Sequence, residues 1–166
     1  LPGIFEQVNW LKYKKNSCPA SFMIPIQYPQ YAPRLKQEGE RDWIFDPLRR
    51  KWVRLTPEEW VRQHFMQYLI QTMQYPASLI AVEKEILLGE RKKRFDILVY
   101  KDQQPWLMVE CKEMNTPLTE QVVSQVLQYN ISLQVQYLII TNGKETRGVR
   151  VQAGSIEVLA QLPAYG

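Results

Sequence analysis

The sequence predicts an α/β fold with helices covering a mixed sheet, in the order helix, three-strand meander, helix, strand and small edge hairpin. Three observations carry it. A full helix-start signal stands at Thr56 to Glu59. Three apolar runs of strand length follow between residues 79 and 112, separated only by turn signals. A second helical stretch then lies between them and one more strand, as a crossover connection requires.

Taken in order, residues 1–45 hold Pro2, Pro19, Pro25, Pro29 and Pro33, which break any long period. Phe5, Trp10, Phe22, Trp43 and Phe45 make this stretch too apolar for a free tail. An extension packed over the main body is expected, with the ordered domain spanning 46–163. Thr56 is the N-cap of the first helix, Pro57 takes its first position, and Glu59 completes a capping box. That helix should run to about Met73, with Val61, Phe65, Tyr68, Leu69 and Met73 on one face. Leu79–Leu88, Phe95–Tyr100 and Trp106–Lys112 read as strands, turned at Gly89 with its basic neighbours and at a five-residue turn over 101–105. Thr119–Leu133 reads as the second helix. Gln136–Thr141 is a strand stopped by Asn142-Gly143, and weaker strand signals at 148–151 and 156–159 suggest the edge hairpin.

Composition narrows the function. With 166 residues, 45% of them hydrophobic, the chain suits one globular domain. No apolar run approaches the ~20 residues of a membrane span. Two lone cysteines, Cys18 and Cys111, exclude a disulfide framework, and a single histidine, His64, excludes multi-histidine zinc sites. No secretory signal opens the chain, so the cytoplasm with both thiols reduced is expected, and the missing initiator Met suggests an excised piece. The net charge of +4 is modest, but basic residues cluster at Lys12/Lys14/Lys15, Arg49/Arg50/Lys51/Arg54 and Arg91/Lys92/Lys93/Arg94.

Charged residues are scarce where the sheet should be most buried. Asp96 stands in Arg94-Phe95-Asp96-Ile97-Leu98-Val99, and Glu110 and Lys112 in Leu107-Met108-Val109-Glu110-Cys111-Lys112. Period 2 puts Glu110 and Lys112 on one face and Cys111 on the other. With a five-residue turn Tyr100 pairs with Trp106, and counting back puts Asp96 opposite Glu110; a two-residue turn would change the register. Two such carboxylates repel unless a cation lies between them, and Mg²⁺ or Mn²⁺ suits hard oxygen ligands. Lys112, one side chain further on, could orient a water or stabilise charge on a phosphate. Metal-assisted phosphodiester hydrolysis is the chemistry implied. Taken singly, each residue also reads as a solvated strand-end charge.

At these residues the chain resembles a family. Asp46-Pro47, Leu55-Thr56-Pro57-Glu58-Glu59, Val61-Arg62-Gln63, Arg94-Phe95-Asp96, Val109-Glu110-Cys111-Lys112, Gln125-Val126-Leu127-Gln128-Tyr129-Asn130 and Thr141-Asn142-Gly143 look like the N-terminal nuclease domain of type I restriction enzyme R subunits. That domain belongs to the PD-(D/E)XK nuclease superfamily. The resemblance implies a restriction-endonuclease-like three-layer core. It also implies metal ligands at Asp96, Glu110 and the Cys111 backbone carbonyl, and a catalytic lysine at Lys112. A first-helix acid would fall on Glu59, which the capping box also explains, and a Gln-x-x-x-Tyr element on Gln125 and Tyr129. Phe95 stands where the superfamily name has Pro.

The reading is a divalent-metal-dependent DNA endonuclease, with Arg91, Lys92, Lys93, Arg94 and Arg62 as DNA contacts. A restriction or helicase assembly is a possible partner. This stretch carries no phosphate-binding Gly-x-x-x-x-Gly-Lys-Ser/Thr loop for a motor and no base-reading helix-turn-helix. The alternative is a nucleic-acid-binding module of the same fold, inactive alone or cutting only within an assembly.

Overall fold

Thr56 begins helix α1 (Pro57–Gln67) as expected: its hydroxyl accepts from the Glu59 N–H at 3.0 Å. The final stretch to Thr72 is wound as a π-helix, Tyr68–Thr72. The structure, a computed structural model, describes residues 23–88, 91–152 and 155–166. Cys18, the Lys12/Lys14/Lys15 cluster and the Gly89 turn lie outside the described residues.

Six strands form the main sheet, in the order β4 (Ile80–Leu88), β5 (Arg91–Lys101), β6 (Gln104–Cys111), β7 (Tyr137–Thr141), β8 (Thr146–Gln152) and β9 (Ser155–Val158). All neighbours are antiparallel except β6 and β7, which α2 (Glu120–Leu133) joins as a crossover. Period 2 sorts the apolar residues onto two faces. Ile97, Val99, Leu107, Val109, Cys111 and Ile139 pack with Val61 and Phe65 of α1 and with Leu69 of the π-helical turn that follows it. Leu98, Met108, Leu138 and Ile140 pack with Val126 of α2. The result is three layers, with the parallel pair buried on both faces. At roughly 1.5–3 kcal/mol per fully buried large apolar side chain, these two interfaces dominate stability. None of the described helices is long and apolar enough to cross a membrane.

Two expectations are corrected. The β5–β6 turn has two residues, not five: Asp102 and Gln103 both adopt positive φ, 50° and 64°, the twist that suits a tight hairpin. Tyr100 therefore pairs with Pro105. A bulge between Val99 and Tyr100 leaves Trp106 as the extra residue, and from Val99–Leu107 to Ile97–Val109 the register is the one expected. Arg91, Lys92, Lys93 and Arg94 lie in β5 itself, paired with Leu88, Leu87, Ile86 and Glu85, not in a turn.

A second sheet was not legible. Strands β1 (Leu35–Glu38), β2 (Arg41–Asp46) and β3 (Lys51–Arg54) form an antiparallel meander straddling residue 46. Its strands are short and rich in charge, so no apolar alternation marks them, and only Ile44 and Asp46 are buried. Before it, Ile24 enters the core and its N–H donates to the Thr146 carbonyl at 2.8 Å.

Candidate active site

The site lies where β5 and β6 part, beside the first turns of α1. Asp96 follows the last β5–β6 pair, Ile97–Val109. Its carboxylate takes the place of the next ladder bond: Oδ2 accepts from the Cys111 N–H at 2.7 Å. Oδ1 accepts from Arg62 of α1 at 2.6 Å. Across β4, Val82 pairs with Ile97 and Lys84 with Phe95, while Glu83 adopts a positive φ of 52°. Strict alternation breaks there. Phe95 joins the α2 side of the core although Ile97, two residues on, joins the α1 side. The kink leaves Asp96 in reach of α1, and Glu83 holds a strained conformation to permit it.

Glu110 leaves β6 in register with Ile140, on the α2 face, and accepts from Lys112 Nζ at 2.8 Å. Asp96 and Glu110 are thus not squarely opposed on one face, which corrects the sequence expectation. Both flank the open end of the ladder, each with its own partner. Their proximity is electrostatic: burial and then the Asp96 charge push the Glu110 carboxyl above the usual carboxylate range, against the Lys112 bond. Burial and Asp96 likewise raise Glu58. Lys112 is held above its ordinary value despite burial, because Glu110, Glu58 and Asp96 favour its charge.

Arg62 is the hub. Only 4% exposed, it bonds Glu59, Asp96, Glu83 at 2.8 Å and Glu58 at 3.2 Å. Burial would lower its pKa, but Asp96, Glu59 and Glu83 outweigh that and raise it. Its expected role as a DNA-facing side chain is therefore corrected, since a guanidinium enclosed by four carboxylates has no surface left to offer. Glu59 also departs from expectation. Its N–H completes half of the capping box, but its carboxylate turns to Arg62, to Arg49 at 2.9 Å and to Gln63 at 2.8 Å. Gln63 and Arg49 continue to Asp46, which fixes the β2–β3 turn by accepting from the Leu48 and Arg49 N–H groups.

Counted together, Asp46, Glu58, Glu59, Glu83, Asp96 and Glu110 face Arg49, Arg62, Arg94 and Lys112, a surplus of two negative charges. Among the described residues, no three side chains of His, Cys, Asp or Glu are gathered as a metal-binding group. The reason is visible: Arg62 holds Asp96 and Lys112 holds Glu110, so cations already on the chain draw the carboxylates to separate partners. Of the remaining site candidates, Gln125 lies exposed on α2, and the Tyr129 side chain lies outside the described ones. Arg94 is exposed and bonds Glu83 at 2.8 Å; Lys92 is exposed and Lys93 partly buried. The Cys111 thiol is buried and pushed well up, chiefly by burial, so it is no nucleophile.

Sequence reasoning missed two acids. Glu58 had a signal: seven residues before Phe65, it shares that residue's helical face, whereas Glu59 sits about 120° away at ~100° per residue. Glu83 had none, since its place depends on the kink opposite Asp96.

A solved fragment described as an HsdR subunit of a type I restriction enzyme from Vibrio vulnificus YJ016 matches at 25% identity and TM-score 0.39. The match covers 51% of this chain and 19% of that one, so the chain spans about a fifth of that relative's length. No curated protein sequence matches. The family described as type I restriction enzyme R protein N terminus matches residues 57–163, and the chain belongs to that family.

Proposed function

We propose that this chain is a divalent-cation-dependent DNA endonuclease domain of the PD-(D/E)XK type, acting in the cytoplasm within a restriction assembly. Family membership supports a nuclease-related role. The observation that carries the reading is the placement of Asp96, bonded to the Cys111 N–H, beside the end of β6 where Glu110 holds Lys112. A surplus of two negative charges in one partly buried network fits a divalent cation. Asp96, Glu110 and the Cys111 carbonyl would hold Mg²⁺ or Mn²⁺. Such an ion supplies Lewis acidity toward a phosphodiester oxygen.

The chain's own residues have distinct tasks. Lys112, kept charged by its neighbours, suits stabilising negative charge on the phosphate and donating to a water; it does not suit a general base. Glu110 orients Lys112 through their 2.8 Å bond. Arg62 fixes Asp96 against β6. Arg94, Lys92 and Lys93 lie along β5 leading away from Asp96, suited to phosphate contact.

Plasmid nicking in Mg²⁺ or Mn²⁺ tests this. Lys112→Ala should lose about 100-fold or more in rate, the scale of removing one charge-stabilising donor. Activity surviving in both Lys112→Ala and Asp96→Ala refutes the site. One observation favours the second reading, a binding module inactive alone: both Asp96 oxygens are already engaged, by Arg62 and by the Cys111 N–H. Under it, wild type binds DNA in low salt but does not nick it.

A further inference from the structure

Residues 34–54 lie outside the stretch that matches the family, yet they hold seven basic against four acidic residues in a chain of net charge +4. Strand pairing sorts them onto two faces. Leu35, Gln37, Asp42, Ile44, Asp46, Lys51 and Val53 share one, and its buried members Ile44 and Asp46 turn inward. The other carries Lys36, Glu38, Arg41, Trp43, Phe45, Trp52 and Arg54, with Arg34 stacked over it. Apart from Glu38, every residue there is a cation or an aromatic ring.

These groups already meet one another. The Arg34 guanidinium lies 4.5 Å from the Phe45 ring centroid and 5.6 Å from that of Trp52, and Lys36 Nζ lies 4.7 Å from Trp52. Phe45 and Trp52 contact edge to face at 5.5 Å. Trp43 is half-buried and paired in register with Arg54, and its indole N–H is buried without a partner. Such a surface offers π-faces and flat guanidinium planes for bases, with flanking positive charge for phosphates. Duplex DNA hides its base faces, so a sheet face with three aromatic rings suits an unpaired strand better.

We propose that the outer face of β1–β3 binds single-stranded DNA, seating about two or three bases on Trp43, Phe45 and Trp52 between Arg34, Lys36 and Arg54. That the strand is DNA and not RNA rests on the proposed function; the binding itself needs no divalent ion. The site is separate from the Asp96–Glu110 region and would hold a displaced strand near a cutting site.

Fluorescence anisotropy of the full chain with a labelled oligothymidylate in EDTA tests this independently of nicking. Single-stranded DNA should bind more tightly than duplex, and at least as tightly as oligouridylate of equal length. Trp52→Ala should weaken binding about tenfold. Arg34→Ala and Arg54→Ala, both at exposed positions that leave the fold intact, should each cut the salt slope by about 0.7. Equal or tighter duplex binding, tighter RNA binding, absence of binding at low salt, or unchanged binding in both arginine variants overturns the proposal. Loss of nicking with retained oligothymidylate binding would instead count against the metal site alone.

Discussion

Two regions of this molecule are built from much the same residue types and put them to opposite use. Around Arg62, cations and carboxylates are enclosed between α1 and the β5–β6 junction, with acids in surplus. On the outer face of β1–β3, cations lie over aromatic rings at the surface, with positive charge in surplus. The lesson is one of solvent. A buried charge must be matched within the protein, so its removal disturbs the fold; an exposed charge is free to serve a partner and contributes little to folding.

The sharpest test of that contrast is a pair of arginine variants. Arg62→Met should destabilise by about 3–5 kcal/mol in denaturant unfolding, because it strands Glu59, Glu83 and Asp96 without their shared cation. Arg54→Ala should stay within ~0.5 kcal/mol. Similar losses in both would erase the distinction.

Next comes the response to metal. Mn²⁺ at about 100 times its Kd should stabilise the wild type by ~2.7 kcal/mol by mass action, read as a rise in Tm. Glu110→Gln should abolish the rise; an unchanged rise would place the ion elsewhere. Smaller still is the N-cap: Thr56→Ala should cost about 1 kcal/mol.

The pH dependence is the subtlest. Glu110 and Glu58 have folded-state carboxyls raised, chiefly by burial, above the ordinary value of 4.5, so near that pH the folded state holds more protons than the unfolded chain. Stability of the metal-free protein should then fall as pH rises from about 4.5 through their folded-state values. Glu110→Gln should flatten that decline in EDTA; an unchanged slope would assign it to other groups.

How much of this was legible beforehand differs by residue. Asp96, Glu110 and Lys112 stood out because charge is scarce in buried strands; the register came out as expected from Val99–Leu107 to Ile97–Val109 although the turn did not, and Asp96 and Glu110 lie beyond the last pair. The two-residue turn and the Trp106 bulge displace the register by compensating amounts. Arg62 read as a surface cation, since nothing local distinguishes an arginine that meets acids from β4 and β5. The β1–β3 meander left no apolar-polar alternation to read because its strands are only four to six residues long and rich in charge.

Sequence by itself determined the order of elements and the two apolar faces of the main sheet, because period 2, period 3.6 and capping chemistry are local. Tertiary structure decided that the first-helix acids share Arg62 with Asp96, where Glu83 must strain and which arginine is enclosed. Those outcomes depend on strands and helices far apart in the chain being brought within a few ångströms, a distance no neighbouring residue encodes.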